Sequence, residues 1–461
     1  MAIIKAYSIP HPPLAVPDVG RGQEKGISKT LAALREVAGE IAGLAPDTII
    51  YITPHNVVYA DYFHISPGKS AVGDFSRFGA TETKFAVQYD VELTEEISRL
   101  ANSTGFPAGT MGERDAKLDH GVTVPMWFVN SCYKNYKTVR VSQSGLNPSE
   151  HYAFGQLIAE ATEVLGRRTV VIASSDLSHK LSREGPYGFA PEGPKLDEII
   201  TKALAEGDFL ALFEIPEDLR ERAAECGYNS LMILAGCFDC RRVEARLLSY
   251  EGPFGVGYAV ASFGPGEIDR SRNILDRYAD ISLADARERQ SAEDAYRALA
   301  RRSLEYSVRN GGELPFPDGL PDEMLAQKAG VFVSLHKNGR LRGCVGTIAP
   351  TTKCVASEVI QNAVSAGLSD TRFEQVAEAE LPFLTYKVDV LSAPEPISGP
   401  EGLDVKRYGV IVTSGYKRGL LLPNLDGIDT VDEQITIARR KAGISEKENV
   451  KLERFEVIRH E

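Results

Sequence analysis

Two histidines stand where a sheet would present them to solvent. The apolar run Ile3–Ile9 ends at His11-Pro12-Pro13, and the run beginning at Ile49 ends at Thr53-Pro54-His55-Asn56. An imidazole delivered from the carboxyl end of each of two strands is what a metal site at the mouth of an α/β sheet needs. Either histidine alone reads as an ordinary loop residue; the pair points to shared chemistry. More polar groups lie at the ends of hydrophobic elements. Asp119-His120-Gly121 precedes Val122-Thr123-Val124-Pro125, Ser174-Ser175-Asp176-Leu177-Ser178-His179 closes another β-branched run, and Glu225-Cys226-Gly227 precedes a strongly apolar segment at 231–235.

The elements that must position these groups follow from periodicity. Up to about residue 262, short β-branched runs alternate with longer amphipathic stretches. Strands are expected at Ile3–Ile9, Thr48–Thr53, 138–141, Thr169–Ser174 and 255–262, and helices at 26–44, 91–102, 148–166 and 196–206. The alternation is that of an α/β sandwich. Gly264-Pro265-Gly266 opens a polar, charge-dense stretch, expected at 266–289 as a linker with some helix and no buried face. A helix at 293–308 follows, with Tyr296, Leu299, Leu304 and Val308 near helical spacing, and then strands at 330–335, Leu384–Leu391 and 409–413. The expected organisation is a first domain at 1–265 and a second, smaller α+β domain at 290–461.

Composition narrows the partners. A chain of 461 residues is too long for one ordinary core. Its 43% hydrophobic and 25% charged residues are those of a soluble globular enzyme. A net charge of -12, with no offsetting Lys/Arg cluster, argues against nucleic acid and against an anionic membrane surface. No apolar stretch approaches the roughly 20 residues that span a bilayer, so a cytoplasmic location is expected. Six cysteines are too few for a disulfide framework, and the solitary Cys237-x-x-Cys240 reads as structural. His64, His151, His336 and His460 fall outside any pattern and read as surface or satisfied residues. Small molecules and proteins remain as partners, a second copy in a homodimer among them.

The ordered motifs His-Pro-Pro, Pro-His-Asn, Asp-His-Gly and Ser-Asp-Leu-Ser-His resemble those of the class III extradiol ring-cleaving dioxygenases, the LigB-like superfamily that also contains Memo proteins. The resemblance covers about the first 265 residues and implies a LigB-like α/β sandwich. It also implies a non-heme Fe2+ centre, in which two imidazoles and one carboxylate leave positions open for a catechol-like or aminophenol-like substrate and for dioxygen. His11 and His55 match the family's histidine ligands, and Glu225 stands at the corresponding late position for the third. Cys226 is the alternative third ligand, as in Memo-like members, and a soft thiolate there would bias the site towards copper, Zn2+ or a redox role. His179 resembles the family's acid/base histidine and His120 the one that contacts substrate or oxygen. Asp176 would orient His179 or cap the segment that follows it. A metal hydrolase also fits two histidines and a carboxylate, although the ordered motifs do not favour it.

In the second domain the densest signal is Gly339-Arg340-Leu341-Arg342-Gly343-Cys344-Val345-Gly346-Thr347. Glycines flanking a cysteine suggest a tight bend, with the thiol near positive charge or simply packed. The run resembles the Leu-Arg-Gly-Cys signature of the AMMECR-type domain, as do Asn362-Ala363 with Asp370-Thr371-Arg372-Phe373, Leu381-Pro382 and Arg418-Gly419-Leu420-Leu421-Leu422-Pro423. Glu374-Gln375 departs from the usual Pro-rich continuation. The fusion resembles the AmmeMemoRadiSam group, which implies a radical-SAM protein as a partner and a redox or accessory role as the rival to ring cleavage.

Overall fold

A computed structural model describes residues 2–114, 117–337, 339–425 and 427–461. Contacts divide the chain into two compact units, 1–279 and 280–461.

Unit 1 is built on a six-stranded sheet. Its strands are β1 (Ile3–Ile9), β2 (Thr48–Thr53), β3 (Lys137–Ser142), β4 (Thr169–Ser174), β5 (Arg241–Glu251) and β6 (Tyr258–Ile268), in the order β3-β2-β4-β1-β6-β5. The first four run parallel, whereas β6 and β5 are antiparallel. Strands β2 and β4 are buried along their whole length, as continuous β-branched runs must be when helices cover both faces. Helices α1 (Ser28–Leu44) and α2 (His120–Cys132) share one core with Tyr7, Ile9, Ile49, Tyr51, Val170 and Ile172. Alternate strand residues turn to the other face, where α3 (Pro148–Leu165) packs on α5 (Tyr228–Gly236). Between them in sequence lies α4 (Glu192–Glu206).

The register sets the site. Ser174 pairs with Ile9, Ala173 with Ile52 and Ser142 with Thr53, so four parallel strands end level with one another. The residues that follow leave the sheet along one edge.

One expectation requires correction here, and one element is added. The stretch at 266–289 is not a linker without a buried face: β6 continues to Ile268, and helix α6 (Ile274–Ser291) buries Ile274 and Ala286. The edge strand β5 is also new: its short start sets half-buried Val243 and Ala245 on one face against exposed Arg242, Glu244 and Arg246 on the other, as suits a strand with one solvated side.

Unit 2 has two four-stranded sheets. The first runs Arg340–Gly346, Val331–Lys337, Leu384–Leu391, Val457–His460, and the second Glu395–Ile397, Lys451–Phe455, Gly409–Ser414, Lys417–Leu421. Helices Ala295–Asn310 and Val355–Leu368 close a core over the first sheet. Asp294 caps the earlier helix by accepting the Tyr296 and Arg297 amides. The Gly-Cys segment is a strand and not a bend, since Cys344 pairs with Ser334 in regular antiparallel register. Gly343 is there for proximity: a Cβ would come within 2.1 Å of the Ala366 carbonyl oxygen on the covering helix. Among the described residues no helix is long and apolar enough to cross a membrane.

Candidate metal centre

His11 follows β1 and His55 follows β2, and their Nε2 atoms lie 2.9 Å apart at the sheet's carboxyl edge. Cys226 reaches the same point from the turn before α5, with Sγ 3.6 Å from His11 Nε2. The three donor atoms all fall within 4.8 Å of one another; His11 is buried, Cys226 half-buried and His55 exposed. A thiolate at about 2.3 Å and an imidazole at about 2.0 Å from one tetrahedral ion would be roughly 3.5 Å apart, close to the spacing seen. The two imidazoles need to part by only about 0.4 Å to share that ion. Three soft or borderline donors of this kind fit a transition metal.

Glu225, expected as the third ligand, is directed elsewhere. Its carboxylate accepts the Tyr228 N–H at 2.6 Å, capping the start of α5, and Arg220 is its nearest positive influence. Cys226, its neighbour, occupies the place beside the histidines. Gln143, just past β3, holds it there by donating to the Cys226 carbonyl at 2.9 Å and to Ser230 Oγ at 2.8 Å. Gly227 lets the segment approach, since a Cβ would lie 2.6 Å from Ser175 Cβ.

The other expected residues also gather at this edge. His120 begins α2 and stacks on His55, with ring centroids 4.1 Å apart. His179 Nε2 lies 3.6 Å from Cys226 Sγ. Asp176 does not orient His179: it accepts the His11 backbone N–H at 2.7 Å, and so ties the β1 and β4 ends together. Asp119 accepts the Thr53 hydroxyl at 2.6 Å, which joins the start of α2 to the end of β2. Behind it the buried Arg140 guanidinium stands 3.7 Å away.

Burial dominates the electrostatics. It pushes His11 well below the ordinary imidazole value, with further lowering from the charges that His55, His120 and His179 would carry. His55 and His179 are lowered for the same first reason, and His120 falls to about 4. All four rings are therefore neutral near pH 7 and offer lone pairs. The Cys226 thiol is pushed up by burial and then by Asp176 and Glu225, while Asp176 itself is raised to about 7 by burial.

Four contributors went unassigned at the level of sequence. Ser174 and Gln143 are polar residues at the ends of apolar strands, and that position was their only signal. Phe78 meets His120 edge-on at 5.4 Å and Tyr187 lies 5.1 Å from His179, so aromatic rings flank both sides of the histidine group. Nothing in their spacing announces this. Three of the remaining histidines have partners of their own: His151 bonds to Asn147 and Ser144, His64 to Met111, and His460 to Asp294.

A largely parallel α/β sheet with two imidazoles and a thiol at its carboxyl edge is the architecture of a candidate metal site. Residues 5–261 match the family described as the catalytic LigB subunit of aromatic ring-opening dioxygenase, and residues 297–460 match the AMMECR1 family. The chain belongs to the LigB family and carries a C-terminal AMMECR1 domain. A protein of Clostridium acetobutylicum is 41% identical over 469 residues, spanning 100% of this chain and 99% of that protein. One from Thermotoga maritima is 45% identical over 170 residues, 36% of this chain and 98% of its own length. Among solved structures, an uncharacterized protein of Pyrococcus horikoshii is 32% identical over 36% of this chain and 88% of its own, with a TM-score of 0.33. Unit 1 is thus a member of a ring-cleaving dioxygenase-type superfamily whose members typically bind a metal.

Proposed function

We propose that unit 1 is a metal-dependent oxidoreductase that opens a catechol-like or aminophenol-like ring with dioxygen, its metal held by His11, His55 and Cys226. The observation that carries this reading is the convergence of three donor atoms, two of them neutral imidazole nitrogens, beside two flanking aromatic rings. A bound metal would supply a common centre through which electrons pass from ring to oxygen.

The chain's own residues have separate tasks. Neutral His179 takes a phenolic proton on Nε2 and returns it to the product oxygen, as an imidazole can near neutrality. It also stands where it can relay the Cys226 proton to solvent when the thiol becomes a ligand. His120 and Phe78 form one wall against which a planar ring can lie, and Tyr187 forms another beside His179. His55, the exposed ligand, marks the side from which substrate enters.

One observation favours a second reading. A thiol where a carboxylate was expected softens the site, which suits copper or a redox and accessory role alongside a radical-SAM protein. The test is anaerobic reconstitution with Fe(II), a panel of catechols and aminophenols, and then air. A new visible absorbance from a ring-opened semialdehyde is expected, and it should be lost in His55→Ala. No turnover across the panel by fully metal-loaded protein, together with tighter binding of copper than of iron, would replace the first reading with the second.

A further inference from the structure

Helix α2 contains a proline at its second turn, Pro125. A helical residue at this position would give its N–H to the carbonyl four residues back, which is that of Gly121, and proline has none to give. The deficit is made good from the sheet: the Ser174 hydroxyl, at the end of β4, donates to the Gly121 carbonyl at 2.6 Å. A carbonyl can only accept, so the one hydroxyl proton of Ser174 is committed there. The same oxygen lies 2.8 Å from His11 Nδ1. With its proton spent, Ser174 can only accept from that nitrogen.

We infer that Ser174 is a positioning residue that fixes His11 in the Nδ1–H tautomer, its proton being committed by the missing N–H of Pro125. His11 Nε2 is then bare and faces His55 Nε2 at 2.9 Å. Two bare nitrogens would repel at that distance, so in the metal-free chain His55 carries its proton on Nε2 and donates it to His11. The two rings hold opposite tautomers. His11 is ready to ligate as it stands, whereas exposed His55 must first move its proton to Nδ1 through solvent. Gly121 belongs to the same device, because a Cβ would come within 2.4 Å of Thr53 Oγ1 and 3.3 Å of Ser174 Oγ and would displace the hydroxyl. The consequence for metal affinity rests on the proposed metal centre; the tautomer does not.

The experiment is nitrogen NMR of the histidine rings in 15N-labelled, metal-free, full-length protein, paired with Zn2+ titration. The wild type should show His11 protonated on Nδ1 and His55 on Nε2. Ser174→Ala should lose the single His11 tautomer and bind Zn2+ about 10–100-fold more weakly, as is typical when a ligand's hydrogen-bond partner is removed. Should Ser174→Ala fail to fold, Pro125→Ala carries the test. That change restores an N–H to the helix and leaves Ser174 in place, and a mixture of His11 tautomers is expected. Wild-type His11 protonated on Nε2 would overturn the inference, as would both variants keeping the pure Nδ1–H form and wild-type zinc affinity. A wild type with the expected tautomers that takes up no zinc would uphold this inference and remove the metal centre instead.

Discussion

Zinc binding to the full-length protein should release one proton per ion, and that proton should come from Cys226. Burial holds both ligand imidazoles below their ordinary value, so above about pH 6.5 neither has a proton to lose. Burial and two nearby carboxylates hold the thiol above its ordinary value, so up to about pH 8.5 it remains protonated until a metal replaces the proton. Across that window the apparent affinity must rise about tenfold per pH unit, or about 1.4 kcal/mol each, and so about 100-fold over the whole range. The assay is calorimetric titration in buffers of different ionisation enthalpy, which counts protons directly, repeated along the pH series. In Cys226→Ala the slope should fall by one proton, leaving only the part that Asp176, raised to about 7, gives up near neutrality, and the affinity should fall. Glu225→Gln should keep the slope, because that side chain only caps α5. Proton-free binding by the wild type, an undiminished slope in Cys226→Ala, or metal loss in Glu225→Gln would each refute the reasoning.

His179→Ala should retain stoichiometric metal yet lose roughly 10²–10⁴-fold in ring-opening rate, measured together with metal content. Asp197, on α4, accepts the Ser178 amide and the Tyr250 hydroxyl and is raised to about 7 by burial. A raised carboxyl contributes stability that is present below about pH 4 and lost as pH climbs through 7. Chemical denaturation should therefore show Asp197→Asn flattening a loss on the order of 4 kcal/mol, with raised Asp176 leaving a remainder. Gly227→Ala should cost about 1–3 kcal/mol by overpacking against Ser175 and weaken zinc binding, read from melting and titration. In unit 2, Cys344 already accepts the Ser334 hydroxyl at 3.2 Å, so Cys344→Ser should change the melting of residues 280–461 by less than about 1 kcal/mol. A larger loss would mean that the half-buried thiol packs where no hydroxyl is tolerated.

Period and β-branching carried most of unit 1. The strands Ile3–Ile9, Thr48–Thr53 and Thr169–Ser174 are legible because burial on both faces demands unbroken apolar runs. Strand β5 was not, since an edge strand half open to water has no such demand. The residues converging on the site were visible as polar endings of apolar elements, but sequence could not decide between Glu225 and Cys226. Adjacent residues at a helix start point in different directions, and the choice depends on Gly227 fitting against Ser175, a contact made with a segment some fifty residues away. Cys344 misled for a related reason. Glycine beside it signals close approach of a helix, which local reading cannot tell from a turn.

The strand that leads to His11 is made long before the neighbours it pairs with in the sheet. Its two partners in the sheet are β4 and β6, contributed by residues 169–174 and 258–268. At about 5–20 residues per second the nascent strand waits many seconds for the first and longer for the second. Throughout that time an apolar, β-branched segment with both edges open is free to pair wrongly, which makes this end of the chain the natural client of a holding chaperone. Synthesis of a truncated chain that stops before residue 258 should accordingly yield aggregate and not a smaller folded domain.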